Sequence, residues 1–214
     1  MTPDDAYPAY SRAEKLADAA VHLLGLGAAL IAITVFLAYN FGHLSGGQLA
    51  ALSIYWVGLT AMLSVSACYH NTPWEHLRAR LRRADHATIF LKIAGTYTPF
   101  VVSIGTGFSY VILALVWVLA LAGAVTKLFR WQTPGRWNAA LYLGLGWISV
   151  ALMWSIFATS TAAGWLAVAG GLLYSSGVLF FKWESLRFSN AIWHAFVVAA
   201  SGCFFGAVSL AVLA

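Results

Sequence analysis

The chain has 214 residues, of which 61% are hydrophobic and only 9% charged, with a mean hydropathy of +0.80 and a net charge of +5. Globular chains carry about 25% charged residues, and so much apolar surface exceeds what a chain of this length can hide in a water-soluble core. An ordinary soluble domain is excluded. A membrane protein follows instead, because stretches of about 20 apolar residues recur along the whole sequence.

Residues 1–19 read as a polar tail, and residues 20–214 as a single membrane domain. The tail (MTPDDAYPAYSRAEK) has acids and prolines where a signal peptide has a basic region, so the first apolar segment is retained. The first span covers roughly 20–39, with His22 at its start, and is followed by FGHLSGGQ, a connection without Lys or Arg. The second covers roughly 49–69 and ends in SACYH. A basic connection over 71–84 holds Arg78, Arg80, Arg82 and Arg83. The third span covers roughly 86–104 and contains Pro99, which removes a backbone donor and should kink the helix. Thr96 and Thr98 are placed to re-satisfy carbonyls there.

The fourth span is roughly 108–126, followed by Lys127, Arg130 and the turn WQTPGRW; the fifth is 138–158, the sixth 164–181 and the seventh 191–213. Glycines at 25, 27, 144, 146, 164, 170 and 171 suit close helix contact. Trp74, Trp131, Trp137 and Trp165 read as interfacial belt residues. Cys68 and Cys203 lie in apolar spans and read as small packing residues rather than a disulfide framework.

Charge placement tests this count. Seven crossings put the tail and the connections after spans two, four and six on one side, and those pieces hold Arg12, Lys15, Arg78, Arg80, Arg82, Arg83, Lys127, Arg130, Arg136, Lys182 and Arg187. Lys92, inside span three, is the only one of the 12 basic residues left over. Short loops with this bias set orientation, so the N-terminus is expected in the cytoplasm and the C-terminus outside. The fold class is therefore all-α, a bundle of seven transmembrane helices.

Alternating direction brings His22, His70, Asp85 and His194 to a similar depth near the basic side. Ionisable groups inside a membrane are costly and mark function by default, and neutral imidazole is a common zinc ligand. Each also has a structural reading. Asp85 suits the cap of the third helix. His22, taken by itself, is better read as an interfacial residue bonded to a headgroup or carbonyl. His76 and His86 flank the basic connection and read as solvated. Lys92 either snorkels to the cytoplasmic face or partners an acid.

The strings S-x-x-Y-H (Ser66, Tyr69, His70), L-R-R-x-D-H and A-G-T-Y-T-P-F (Leu81 to Phe100), and W-H-x-F-V-x-A (Trp193 to Ala199) resemble the hemolysin III family. That family is the bacterial branch of the progestin and adiponectin receptor superfamily, distantly related to alkaline ceramidases. E-x-x-x-D-x-x-x-H (Glu14, Asp18, His22) resembles its motif at the first span. The resemblance implies a cell-membrane protein with a zinc site near the cytoplasmic face. His70 would be one ligand, and His194 the second of two His four residues apart. Asp85 would position the zinc-bound water, and Ser66 and His22 would support the site.

At position 190, where the resemblance implies the other His, the chain has Asn190. An amide oxygen is a weak zinc ligand. Three outcomes stay open: zinc held by His70, His194 and a substitute such as Asp85 or His22; a different ion; or a site held by hydrogen bonds alone. The implied function is zinc-dependent intramembrane hydrolysis of a lipid amide or ester, with membrane lipids as partners and no nucleic acid. A non-enzymatic protein that senses or adjusts lipid state is the alternative. A pore-forming cytolysin ranks last, because no span carries a repeated polar stripe.

Overall fold

The computed structural model describes residues 10–129, 135–183 and 185–214, with only the backbone for 135–138. Its helices are α1 (Arg12–Asn40), α2 (Gly46–Asn71), α3 (Glu75–Ile104), α4 (Gly107–Phe129), α5 (Gly135–Trp147), α6 (Met153–Thr159), α7 (Thr161–Lys182) and α8 (Ser189–Leu213). A short 3-10 turn prolongs α1 (Phe41–His43), and another (Ile148–Leu152) joins α5 to α6. Among the described residues, seven segments are long and apolar enough to cross a membrane, the fifth being α5 through α6. No strand occurs among the described residues. Trp131 and the turn around it, Arg130, and the side chains of Arg136 and Trp137 lie outside the described residues.

Helix α3 is the axis of the bundle. It packs on α2, α4 and α8, and 61% of its most apolar window is buried, against 17% for the first span. Helices α7 and α8 pair tightly, and α1 lies against α2 and α8. A 26-residue core runs through the helices and includes Leu52, Tyr55, Ala94, Val101, Val116 and Val208. Lipid chains are as apolar as these side chains, so the helices associate through close packing and hydrogen bonds rather than through escape from water.

The helix starts fall earlier than the apolar pattern suggests. Expected as tail, residues 12–19 are helical, because Ser11 and Glu14 form a reciprocal cap: Glu14 N–H donates to Ser11 Oγ, and Glu14 Oε2 accepts from Ser11 N–H. The basic stretch 75–84, expected as a connection, is also helical, and only Thr72, Pro73 and Trp74 separate α2 from α3. Arg78 stabilises that corner by donating to the Thr72 carbonyl at 2.8 Å and pairing with Glu75 at 3.1 Å. With 30 residues, α3 is about 45 Å long, so its charged first turns extend beyond a hydrocarbon layer of about 30 Å.

Pro99 lies inside α3 without ending it, and Thr96 and Thr98 donate to the carbonyls of Lys92 and Ala94 at 2.8 and 3.1 Å. Where α5 gives way to 3-10 geometry in the fifth span, the Tyr97 hydroxyl lies 2.9 Å from Leu145 O and 2.7 Å from Gly146 O, a donor shared by two carbonyls.

Glycine contact is more selective than the pattern suggests. A Cβ on Gly95 would lie 3.3 Å from the Ile54 carbonyl oxygen, and one on Gly58 would lie 3.3 Å from Lys92 Cα, so these two set the α2–α3 approach. Gly25, Gly164 and Gly170 also face side chains closely, whereas Gly27, Gly144, Gly146 and Gly171 face open space. Trp74 and Trp165 are exposed, as belt residues should be. Cys68 and Cys203 are free, and Cys68 is exposed.

Candidate metal centre

Four helices bring polar side chains to the end of the bundle where α1 begins. Helix α1 supplies Asp18 and His22, one turn apart on one face. Ser66 and His70 come from the last turns of α2, Asp85 from α3, and Asn190 and His194 from the first turns of α8. Phe188 fixes the start of α8. It has a left-handed backbone (φ 63°), which costs a side-chain-bearing residue about 1–2 kcal/mol. Its N–H donates to Glu14 Oε1 at 3.1 Å, tying the α8 start to the first turn of α1.

Asp18 lies at the centre. Its Oδ1 is 2.6 Å from His194 Nδ1, a short charge-assisted hydrogen bond. Its Oδ2 is 3.6 Å from His22 Nδ1 and 3.9 Å from His70 Nδ1. Its main-chain carbonyl accepts from His22 Nδ1 at 2.9 Å. His22 Nε2 lies 3.2 Å from Ser66 Oγ, and the Asp85 carboxylate interacts electrostatically with His22 and His194. Asn190 Nδ2 is 3.2 Å from His70 Nδ1. Asp18, His22, Ser66, Asp85 and His194 are all buried, and His70 is nearly so.

The residues named from sequence thus fall in one cluster, with several local readings revised. His22 is not interfacial: it is 4% exposed and stacks among the other rings. Asp85 does not cap α3, whose first residue lies ten positions earlier, at Glu75. His86 is not solvated: its Nδ1 lies 2.9 Å from the Arg82 carbonyl oxygen and 3.7 Å from Asp85 Oδ2. Asn190 belongs to the cluster through His70. Asp18 belongs to the E-x-x-x-D-x-x-x-H motif, which does not by itself mark it as a site residue. Its signal was the four-residue spacing of Glu14, Asp18 and His22, which places a carboxylate on the same helix face as an imidazole.

The donor set suits a zinc ion. Ligand atoms of Asp18, His22 and His194 all lie within 4.8 Å of one another. The ring centroids are 4.3 Å apart for His22 and His194, 4.5 Å for His70 and His194, and 5.6 Å for His22 and His70. Imidazoles sharing one tetrahedral zinc have centroids about 5 Å apart, so the three rings bracket that spacing. Two buried carboxylates, Asp18 and Asp85, balance a divalent charge.

A family model described as haemolysin-III related matches residues 10–205. The chain is 31% identical over 202 residues to "Hemolysin-3" of Bacillus cereus, covering 94% of this chain and 92% of that protein. It is 30% identical to "Hemolysin-3 homolog" of Bacillus subtilis, covering 90% and 91%. It is also 30% identical over 163 residues to human "Monocyte to macrophage differentiation factor", covering 72% and 67%.

Proposed function

The chain belongs to the hemolysin III family, and from that premise we propose that this multi-pass membrane protein uses zinc to hydrolyse a lipid amide or ester. One arrangement carries the reading: three imidazoles and two carboxylates, drawn from four helices, converge in a buried layer at the basic end of the bundle. His70 and His194 hold the ion, with His22 or Asp18 as the third group; Asn190 is not a ligand. A bound zinc supplies Lewis-acid polarisation and brings the pKa of water down towards about 7.

The remaining work belongs to the chain. Asp85, which interacts electrostatically with His22 and His194, orients the attacking water and takes its proton. As the carbonyl C–N or C–O bond breaks, that proton passes to the leaving nitrogen or oxygen. The products are a carboxylic acid and an amine or alcohol. A small recess lined by Tyr10, Glu14, Lys15, Asp18, His70 and Asn190, among others, lies beside the cluster at the basic end. The lipid enters from the bilayer, and the basic end faces the cytoplasm.

Elemental analysis of detergent-purified protein tests the reading. One zinc per chain, lost in His70→Ala, is expected. So is release of fatty acid from a panel of ceramides and acyl esters, abolished in Asp85→Asn. Native protein without metal, together with metal gained by Asn190→His, overturns the reading. The chain is then a non-enzymatic protein of lipid homeostasis with a degenerate site.

A further inference from the structure

We infer that Asp18 and Asn190 hold the three buried imidazoles in one tautomer, proton on Nδ1 and lone pair on Nε2, so that His22 completes the ligand set that position 190 leaves short. The inference takes the zinc reading above as its premise, but the hydrogen bonds on which it stands are independent of any metal.

Each ring meets its neighbour through the same nitrogen. His22 Nδ1 faces the Asp18 carbonyl oxygen at 2.9 Å, and His194 Nδ1 faces the Asp18 carboxylate at 2.6 Å. Both partners can only accept, so both nitrogens carry the proton. His70 Nδ1 meets the Asn190 amide at 3.2 Å and has the Asp18 carboxylate 3.9 Å away. A lone pair on that nitrogen would face a negative charge, whereas a proton there is attracted by it. A half-turn of the amide presents Asn190 Oδ1 as the acceptor in the same place. Nδ1–H is therefore the favoured state of all three rings.

The lone pairs are then on Nε2, the usual face for a metal when a carboxylate or carbonyl holds the other nitrogen. His22 shows where that face lies: its Nε2 is 3.2 Å from Ser66 Oγ, whose hydroxyl can donate to it. Asp18 itself is a poor ligand in this arrangement. Its Oδ1 already accepts from His194 Nδ1 at 2.6 Å, and its main-chain carbonyl accepts from His22 Nδ1 at 2.9 Å. Asp18 and Asn190 are positioning residues, and the third imidazole comes from α1 rather than α8.

Full-length protein with 15N-labelled histidine, stripped of metal in micelles, reports the tautomers directly by NMR. Protonated Nδ1 and bare Nε2 are expected for His22, His70 and His194; a proton on Nε2 of any one of them overturns the clamp. Zinc competition titrations then separate ligand from positioner. His22→Ala should lose the bound zinc. Asp18→Asn should keep one zinc per chain at about 10–100-fold weaker affinity. Asn190→Asp should retain affinity, while Asn190→Leu lowers it about 10–100-fold and frees the His70 tautomer in the spectrum. Zinc kept by His22→Ala and abolished by Asp18→Asn would make Asp18 the ligand and overturn the inference. Native protein that takes up no zinc defeats the hydrolase reading, and the spectrum of the unmodified chain still decides the tautomers.

Discussion

Lys92 lies in the interior of α3, 3% exposed, with its ammonium 2.6 Å from the Tyr174 hydroxyl. The same nitrogen is 4.4 Å from the Tyr174 ring centroid and 5.2 Å from that of Phe204. Tyr174 in turn shares a 2.8 Å hydrogen bond with Ser201. Neither role open to it in the sequence, snorkelling or pairing with an acid, is the one it takes: hydroxyls and ring faces hold the charge. Removing the holder should be worse than removing the charge. Tyr174→Phe strips a buried ammonium of its hydrogen bond and should lower stability by about 1–3 kcal/mol. Lys92→Met should leave the melting temperature unchanged or raise it, since an apolar group of similar volume replaces a costly ion. Thermal melts of the two variants in the same detergent check the order. Asp18 teaches a related lesson. Its spacing to His22 was readable, but a carboxylate in what looked like a tail gave no hint of reaching the imidazole on α8.

Packing between elements depends on where two backbones approach, and composition alone does not rank glycines. A Cβ on Gly95 would lie 3.3 Å from the backbone of α2, whereas nothing lies within 4 Å of a Cβ on Gly27. Gly95→Val should therefore push α2 from α3 and cost about 1–3 kcal/mol. Gly27→Ala should be neutral or slightly stabilising, because alanine is the better helix former. Melting curves and size-exclusion elution separate the two. A wedge at Gly95 would also shift α2 against α3, and with it Ser66 relative to Asp85. The helix ends were the least readable part of the elements. Amphipathic, charge-rich turns such as 75–84 are soluble as a loop or as a helix, and local caps such as the Ser11–Glu14 pair decide between them.

Across the whole molecule, the basic residues of the described helices other than Lys92 gather at the end that carries the His–Asp cluster: Arg12 and Lys15 on α1, Arg78 to Arg83 on α3, Lys127 on α4 and Lys182 on α7. Reporter fusions should accordingly read cytoplasmic when placed before α1 or after α4, and external when placed after α3 or at the C-terminus. A periplasmic signal from the first pair would reverse the orientation. Purified protein in liposomes should release no trapped dye, because no span carries a repeated polar stripe to line a water-filled path. Dye release proportional to protein would favour the lytic reading.

The residues alone determined the seven crossings, the one-sided charge and the depth at which His70, Asp85 and His194 meet. Hydropathy and loop charge are sums over many side chains, and alternating helix direction converts sequence position into height. Only the tertiary structure decided which atoms face one another at that height: Asp18 between the rings, His22 buried rather than interfacial, and Asn190 against His70. Those choices depend on the rotation of each helix about its own axis and on its distance from its neighbours, set by a few close contacts such as Gly58 and Gly95, and no local pattern encodes them.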